Sequence, residues 1–120
     1  MTIHLDHLMV PSRSKVASAR LLAELLDVPW TETAVGPFAA VYVSDSLTLD
    51  FDEWAEPVPK IHYCFRVTED EFTRILERIK AAGITYRSSV HGPVDEGRQC
   101  QLTIRIIAKV LTTWPHLLRN

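Results

Sequence analysis

The feature that most constrains this chain is an internal repeat. Residues 28–37 read VPWTETAVGP, and residues 84–93 read ITYRSSVHGP. The offset between these stretches is 56 throughout, and it pairs Val28 with Ile84, Trp30 with Tyr86, Gly36 with Gly92, and Pro37 with Pro93. Each stretch follows a helical pattern, and a short strand pattern that contains a histidine precedes each helix. The repeat therefore predicts two copies of one strand–helix–strands unit.

Both predicted helices are amphipathic. The first spans about Ser14 to Leu26, and the second begins at Thr68. Apolar residues recur at i, i+3, i+4 and i+7 in each, which places them on one face: Ala19, Leu22, Ala23 and Leu26 in the first helix, and Phe72, Ile75, Leu76 and Ile79 in the second. Thr68 and Glu71 form a capping box at the start of the second helix. Gly83 supplies the left-handed residue with which a helix commonly ends.

Strand patterns flank these helices. They are LDHLMV (5–10), which Pro11 bounds, a short strand around Thr31–Val35, FAAVYV (38–43), LTLDF (47–51) and IHYCFRV (61–67). A proline-punctuated linker, EPVP (56–59), separates the two copies. The 120 residues are therefore predicted to form a single α+β domain. It consists of module one (1–56) and module two (57–120), with curved sheets around a cavity.

Strand alternation decides which side chains face that cavity. In IHYCFRV the all-apolar alternate positions suit packing under a helix, so His62 and Cys64 take the opposite face. By the same reasoning His7 and Met9 share one face of the first strand, and Asp50 lies opposite the apolar residues of LTLDF. Phe38 and Tyr42 line the concave side of the hairpin. Two imidazoles and one carboxylate, from His7, His62 and Asp50, suit a divalent metal ion such as Zn, Ni, Mn or Fe.

Each of these residues alone is more often structural than a metal ligand. Asp52 lies two positions further along the same face as Asp50 and is a competing carboxylate. His4 is interpreted as a surface residue, and neither His91 nor His116 has a repeat partner. Cys64 is placed in the pocket, but nothing marks it as a nucleophile. No catalytic residue is identifiable.

Composition excludes several classes of function. The chain has 13 Lys and Arg against 15 Asp and Glu, a net charge of −2, which argues against a nucleic-acid groove. No apolar run is long enough to cross a bilayer, and the N-terminus lacks the pattern of a signal peptide. Cys64 and Cys100 show no CxxC spacing and are interpreted as thiols of a cytoplasmic protein.

Over residues 1 to about 97 the chain resembles the vicinal-oxygen-chelate superfamily. The motifs that carry the resemblance are LDHLMV, IHYCFRV and the stretch HYCFRVTEDEFTRILERIKAAGITYRSSVHGPVD, which is similar to small bacterial members. The superfamily includes glyoxalase I, bleomycin-resistance proteins, fosfomycin-resistance enzymes and extradiol dioxygenases. The resemblance implies two βαβββ modules around a metal or ligand cavity, often in a homodimer. His7 matches the first-strand ligand, His62 matches the ligand that opens the second module, and Asp50 falls near a carboxylate that is Glu in glyoxalase-type members.

The tail, residues 98–120, departs from the superfamily pattern. Members usually end in a DPDG turn and a final strand that bears a glutamate ligand, whereas this chain has neither Asp nor Glu after Glu96. A change of reading frame near Gln99 is one hypothesis, which the nucleotide sequence of the gene would test in all frames. LTIRIIA and KVLTTW are β-prone. They are expected to supply the missing strands in a different register or to pair with another chain.

Three functions follow from these observations. The first is a metal-dependent enzyme, of the glyoxalase or dioxygenase type, that acts on a small oxygen-chelating substrate. The second is a bleomycin-resistance-like protein that binds a small molecule without catalysis, with Met9, Phe38 and Tyr42 as an apolar wall. The third is a relative that keeps the fold and has lost its activity.

Overall fold

The chain forms two compact units, Met1–Pro59 (unit one) and Lys60–Asn120 (unit two). The computed structural model describes residues 2–32, 36–55, 57–59, 61–84, 86–87, 102–108 and 115–119. Over these residues, each unit shows one helix and a four-stranded sheet, in the order β-α-β-β-β. The predicted fold class, an α+β chain of two βαβββ modules, is therefore confirmed.

Unit one runs in the order β1 (His7–Ser12), α1 (Lys15–Leu26), β2 (Trp30–Thr31), β3 (Ala39–Ser44) and β4 (Leu47–Glu53). Its sheet has the strand order β1-β4-β3-β2, in which β1 and β4 are parallel and the other pairs are antiparallel. β1 begins at His7, later than predicted, and continues through Pro11, where the sequence analysis ended it. β1 is an edge strand, and an edge is where a residue without an N–H is tolerated in a sheet.

The core of unit one lies between α1 and the sheet. α1 contacts β3, β4 and β1, and its buried side chains are Ala19, Leu22, Ala23 and Leu25. Leu26, predicted on this face, is half-buried. The large strand side chains that are fully buried are Val10, Val41, Leu49 and Phe51. Burying a side chain of this size stabilises the fold by about 1.5–3 kcal/mol.

Unit two runs in the order β5 (Ile61–Val67), α2 (Glu69–Ala81), β6 (Tyr86–Arg87), β7 (Leu102–Ala108) and β8 (Pro115–Arg119). Its sheet has the strand order β5-β7-β8-β6. The third strand of this unit therefore occupies the place that the fourth strand has in unit one. The tail supplies these strands within the chain, since β7 pairs with β5 in parallel and β8 pairs with β7 and β6.

The register of β7 repeats that of β4. His62 pairs with Thr103 as His7 pairs with Thr48, so both partners are shifted by the same 55 residues. β6 begins 56 residues after β2, but it pairs with the fourth strand of its unit, whereas β2 pairs with the third. The internal repeat seen in the sequence thus extends to the pairing of the first strand of each unit.

The local signals around α2 are confirmed. The Thr68 side chain accepts a hydrogen bond from the Glu71 N–H (3.1 Å), and the Glu71 carboxylate accepts one from the Thr68 N–H (3.0 Å). Ile75 and Ile79 are buried, while Phe72 and Leu76 are half-buried. Gly83 follows the helix with a φ of 69°, the left-handed conformation expected of it.

Several sequence-based predictions lie outside the described residues, among them the strand KVLTTW and the positions of His91, Gly92, Pro93 and Cys100. Of the short strand predicted around Thr31–Val35, the structure describes a pair, Trp30–Thr31, while residues 33–35 lie outside it. Within the described residues, neither helix has the length and apolar character needed to cross a membrane.

Candidate functional site

Most of the predicted site residues lie on the sheet of unit one, on the face opposite α1. Side chains alternate along a strand, and register partners share a face. His7 pairs with Thr48, which in turn pairs with Tyr42 on β3. Met9 pairs with Asp50 in the next row of the same face. We call this surface, which holds His7, Met9, Tyr42, Thr48 and Asp50, the site face of unit one.

The site face is more exposed than the face that α1 covers. The His7 side chain is 63% exposed and Met9 is 46% exposed. Tyr42, Thr48 and Asp50 are half-buried, and so is Phe38, which precedes β3. Leu49 and Phe51, which alternate with Asp50 along β4, are almost completely buried. This contrast leaves the polar side chains of β1 and β4 available to a ligand.

His7 is the most distinctive residue of the site face. Its Nδ1 lies 2.8 Å from Oδ2 of Asp6. This hydrogen bond is the main cause of the raised pKa of His7. Slight burial lowers the pKa, and the charges of Asp6 and then of Asp50 raise it further. A carboxylate accepts hydrogen bonds, so this contact favours the neutral tautomer with the proton on Nδ1 and a lone pair on Nε2. The charge of Asp50 also acts on this ring, as expected of two side chains in neighbouring rows of one face.

Asp50 and its competitor Asp52 have different surroundings. The Asp52 carboxylate accepts hydrogen bonds from the indole N–H of Trp54 (3.0 Å) and from the backbone N–H of Glu53 (2.9 Å). Both of its oxygens therefore bind groups at the end of β4. Asp50 accepts no hydrogen bond from any of the residues that the structure describes, so its oxygens are the more available to a metal ion.

Unit two presents a second set of predicted site residues. His62 and Cys64 lie on the exposed side of β5, together with Arg66. Tyr63 and Phe65 alternate with them and are half-buried, and this burial raises the pKa of the Tyr63 hydroxyl. Cys64 is a free, exposed thiol. Exposure along β5 thus alternates with the polar and apolar residues of its sequence.

The three predicted ligands are divided between the units. His7 and Asp50 belong to unit one, and His62 belongs to unit two. Among the described residues, no group of three or more His, Cys, Asp and Glu side chains is close enough to hold a metal ion.

One residue of the site escaped the sequence analysis. Asp6, directly before His7, forms a hydrogen bond with the histidine ring that the strand pattern does not predict. The available signal was the adjacent Asp–His pair in LDHLMV. A sequence pattern does not reveal which rotamers two neighbouring side chains adopt, so the hydrogen bond itself could not be predicted.

Comparison with solved structures identifies the class of fold. Oxidase ChaP-H2 is 36% identical, with a TM-score of 0.72 over 76% of this chain and 71% of its own. Oxidase ChaP-H1 is 26% identical, with a TM-score of 0.77 over 91% of this chain and 98% of its own. Both resemble this chain over most of their length.

More distant structures share the fold. The fosfomycin resistance protein FosX from Listeria monocytogenes, in complex with Mn(II) and sulfate, is 15% identical, with a TM-score of 0.62 over 92% of this chain and 94% of its own. A glyoxylase/bleomycin resistance protein/dioxygenase domain from Frankia sp. EAN1pec is 16% identical, with a TM-score of 0.57 over 90% of this chain and 98% of its own. No family model and no curated sequence matches this chain.

The two βαβββ units and the similarity to these structures show that the chain has the glyoxalase-like fold. The identity to ChaP-H2 is high enough, over enough of both chains, to specify the family. The chain belongs to the vicinal-oxygen-chelate superfamily.

Proposed function

We propose that this protein is a metal-dependent enzyme that acts on a small oxygen-chelating substrate, with His7, His62 and Asp50 as metal ligands. The observation that carries the proposal is the placement of His7 and Asp50 on one exposed face, close enough that the Asp50 charge acts on the His7 ring. The third ligand, His62, is proposed from its match to the superfamily pattern and from its exposed position on β5.

The chemistry of these donors fits a divalent transition metal. Imidazole nitrogen and carboxylate oxygen bind Zn, Ni, Mn and Fe(II). The His7 tautomer leaves the Nε2 lone pair free, and no described residue donates a hydrogen bond to the Asp50 carboxylate. The Mn(II) complex of FosX supports this choice of metal class. A metal ion bound in this way would polarise neighbouring oxygens of a substrate and stabilise developing negative charge.

The other residues of the site would bind the organic part of the substrate. Met9 and Tyr42 flank the proposed ligands on the site face, and Phe38 precedes the same strand as Tyr42. We infer that these three form an apolar wall, since apolar and aromatic side chains make up most of a small-molecule pocket. Cys64 is proposed as a further contact from unit two. A homodimer is proposed from the superfamily pattern.

A non-catalytic binding protein is the second candidate. Two observations favour it: the sequence has neither Asp nor Glu after Glu96, and the register position in unit two that corresponds to Asp50 is Arg105. The usual acidic ligand of the final strand is thus missing. In this case the apolar wall would hold a ligand without a metal ion.

Elemental analysis distinguishes these functions. The protein is purified without a histidine tag from medium supplied with Mn, Fe, Ni and Zn, and its bound metal is measured. His7→Ala, His62→Ala and Asp50→Asn are compared with two controls, His4→Ala and Asp45→Asn, which change exposed residues outside the proposed ligand set.

We expect stoichiometric metal in the wild type and the controls and loss of metal in the three ligand variants. Metal that persists in His7→Ala, or an absence of metal from the wild type, would contradict the proposal. In the metal-free case, an increase in the melting temperature with hydrophobic small molecules supports the binding protein. No response to either supports a relative without activity.

A further inference from the structure

We propose that Asp6 is a positioning residue, which holds the His7 ring in the tautomer that presents Nε2 on the site face. The inference rests on the proposed function only in one respect, which is that a metal ion is the group that Nε2 binds. The tautomer itself follows from the geometry of unit one and is measurable without a metal ion.

The backbone of Asp6 is fixed by the neighbouring strand. Its carbonyl oxygen accepts a hydrogen bond from the Thr48 N–H (2.9 Å), just before β1 begins at His7. Thr48 is also the register partner of His7. The same residue of β4 therefore anchors both members of the pair, and the Asp6 carboxylate is attached to a backbone that the sheet holds in place.

The contact between the two side chains determines the tautomer. Asp6 Oδ2 lies 2.8 Å from His7 Nδ1. An ionised carboxylate has no proton to donate, so Nδ1 must be the donor. A neutral imidazole has a single N–H, and its second nitrogen, Nε2, is then an acceptor or a metal ligand. His4, three residues earlier, has no hydrogen bond within the described residues and provides an internal reference.

Stability does not explain this contact. The side chains are 63% and 87% exposed for His7 and Asp6, and exposed charge pairs contribute little to folding because solvent screens them. A carboxylate that orients a histidine matters far more for a metal site, where the loss of such a partner typically weakens metal affinity 10- to 100-fold. The consequence of the Asp6–His7 contact is therefore expected in the ring and its ligand rather than in folding.

Nitrogen-15 NMR of the imidazole side chains tests the tautomer without a metal ion. Spectra are recorded at alkaline pH, where the rings are neutral, and the His7 signals are assigned by their loss in His7→Ala. We expect His7 to carry its proton mainly on Nδ1. In Asp6→Ala its tautomer should approach that of His4, and Asp6→Glu should restore part of the difference. Asp45→Ala, which removes an exposed carboxylate from the β3–β4 turn, is the matched control and should change nothing.

Titration with Mn(II) then separates this inference from the proposed function. We expect Asp6→Ala to weaken Mn(II) binding about 10- to 100-fold and Asp45→Ala to leave it unchanged. An Nδ1–H tautomer that depends on Asp6, in a wild-type protein that binds no Mn(II), supports the positioning role and contradicts the metal-dependent function. A tautomer and a Mn(II) affinity that are both unchanged in Asp6→Ala overturn the positioning role, whatever His7 binds.

Discussion

Arg105 on β7 is the register partner of Cys64 on β5. The pair repeats the relationship between Asp50 and Met9 in unit one, with both residues shifted by 55 positions. Where unit one has a carboxylate, unit two thus has an arginine. β7 holds the sheet position that the last strand has in unit one, and superfamily members usually carry a glutamate ligand on their final strand. Under the proposed function, an arginine at this register position is therefore expected to weaken metal binding.

Arg105→Glu is therefore predicted to strengthen metal binding. It replaces a cation, which repels a metal ion, with a carboxylate at the position that repeats Asp50. We expect the Mn(II) affinity to rise by about tenfold, the scale on which supporting groups change a metal site. Arg105→Gln is the matched control, because it removes the positive charge without adding a ligand. Isothermal titration of the three proteins measures the effect, and equal affinities for Arg105→Glu and Arg105→Gln would refute it.

Titration of His7 should reveal its two acidic neighbours. The Asp6 hydrogen bond is the main cause of the raised His7 pKa, and the charge of Asp50 adds to it. We predict that the pKa of His7 lies above the ordinary 6.5. It should fall on Asp50→Asn and fall further on Asp6→Ala. Proton NMR of the His7 ring against pH measures these values, with Asp45→Asn as the control.

The direction of the shift fixes two pH dependences. A histidine whose pKa is raised by folding stabilises the fold fully below its unfolded pKa, and this contribution disappears as the pH rises through the folded pKa. Metal binding has the opposite trend, since the ion competes with the proton for the ring. We therefore expect Mn(II) affinity to decrease as the pH falls through the raised pKa. An affinity that does not change across this range would show that His7 is not a ligand.

The capping box of α2 makes a measurable contribution to stability. Thr68→Ala removes the acceptor of the Glu71 N–H and should lower the free energy of unfolding by about 1 kcal/mol. Thr73→Ala makes the same chemical change on an exposed turn of the same helix. It removes a hydrogen bond from the Thr73 hydroxyl to the Glu69 carbonyl oxygen (3.2 Å), but this type of bond does not strengthen a helix and alanine is the better helix former, so the change should cost nothing. Urea denaturation of both variants provides the comparison, and equal losses would contradict the role of the cap.

The effect of the cap should also depend on pH. Hydrogen bonds from Thr68 lower the pKa of Glu71, so its carboxylate stabilises the fold above the unfolded pKa and this contribution is lost as the pH falls through the lowered value. The difference in unfolding free energy between the wild type and Thr68→Ala is therefore expected to shrink in acid. A constant difference down to the lowest measurable pH would be inconsistent with a charged partner.

The helices α1 and α2 show which features of the fold the sequence could predict. Their periodicity, the Thr68–Glu71 pair and Gly83 are local signals, and the structure confirms them because the interactions lie within a few residues. Strand order depends instead on pairing between distant segments. The place of β7 between β5 and β8 therefore could not be derived from the β-prone pattern of LTIRIIA.

The candidate site was predictable to a similar extent. Alternation along β1 and β4 correctly places His7 and Asp50 on one face, since it is a property of each strand and its register. The choice between Asp50 and Asp52 is different, because both lie on that face. Only the hydrogen bonds from Trp54 and Glu53 separate a structural carboxylate from an available one.

That separation predicts opposite behaviour for the two carboxylates. Asp52→Ala removes the acceptor of both hydrogen bonds at the end of β4 and should lower the free energy of unfolding. Because both bonds are exposed, the loss should not exceed roughly 0.5–1.5 kcal/mol for each bond. It should also change the fluorescence of Trp54, while Mn(II) affinity stays within a few-fold of the wild type. Asp50→Ala should leave the unfolding free energy almost unchanged and reduce Mn(II) affinity. Urea denaturation and Mn(II) titration of both variants measure the four values. If Asp52→Ala were the variant that lost metal binding, Asp52 would replace Asp50 as the carboxylate ligand.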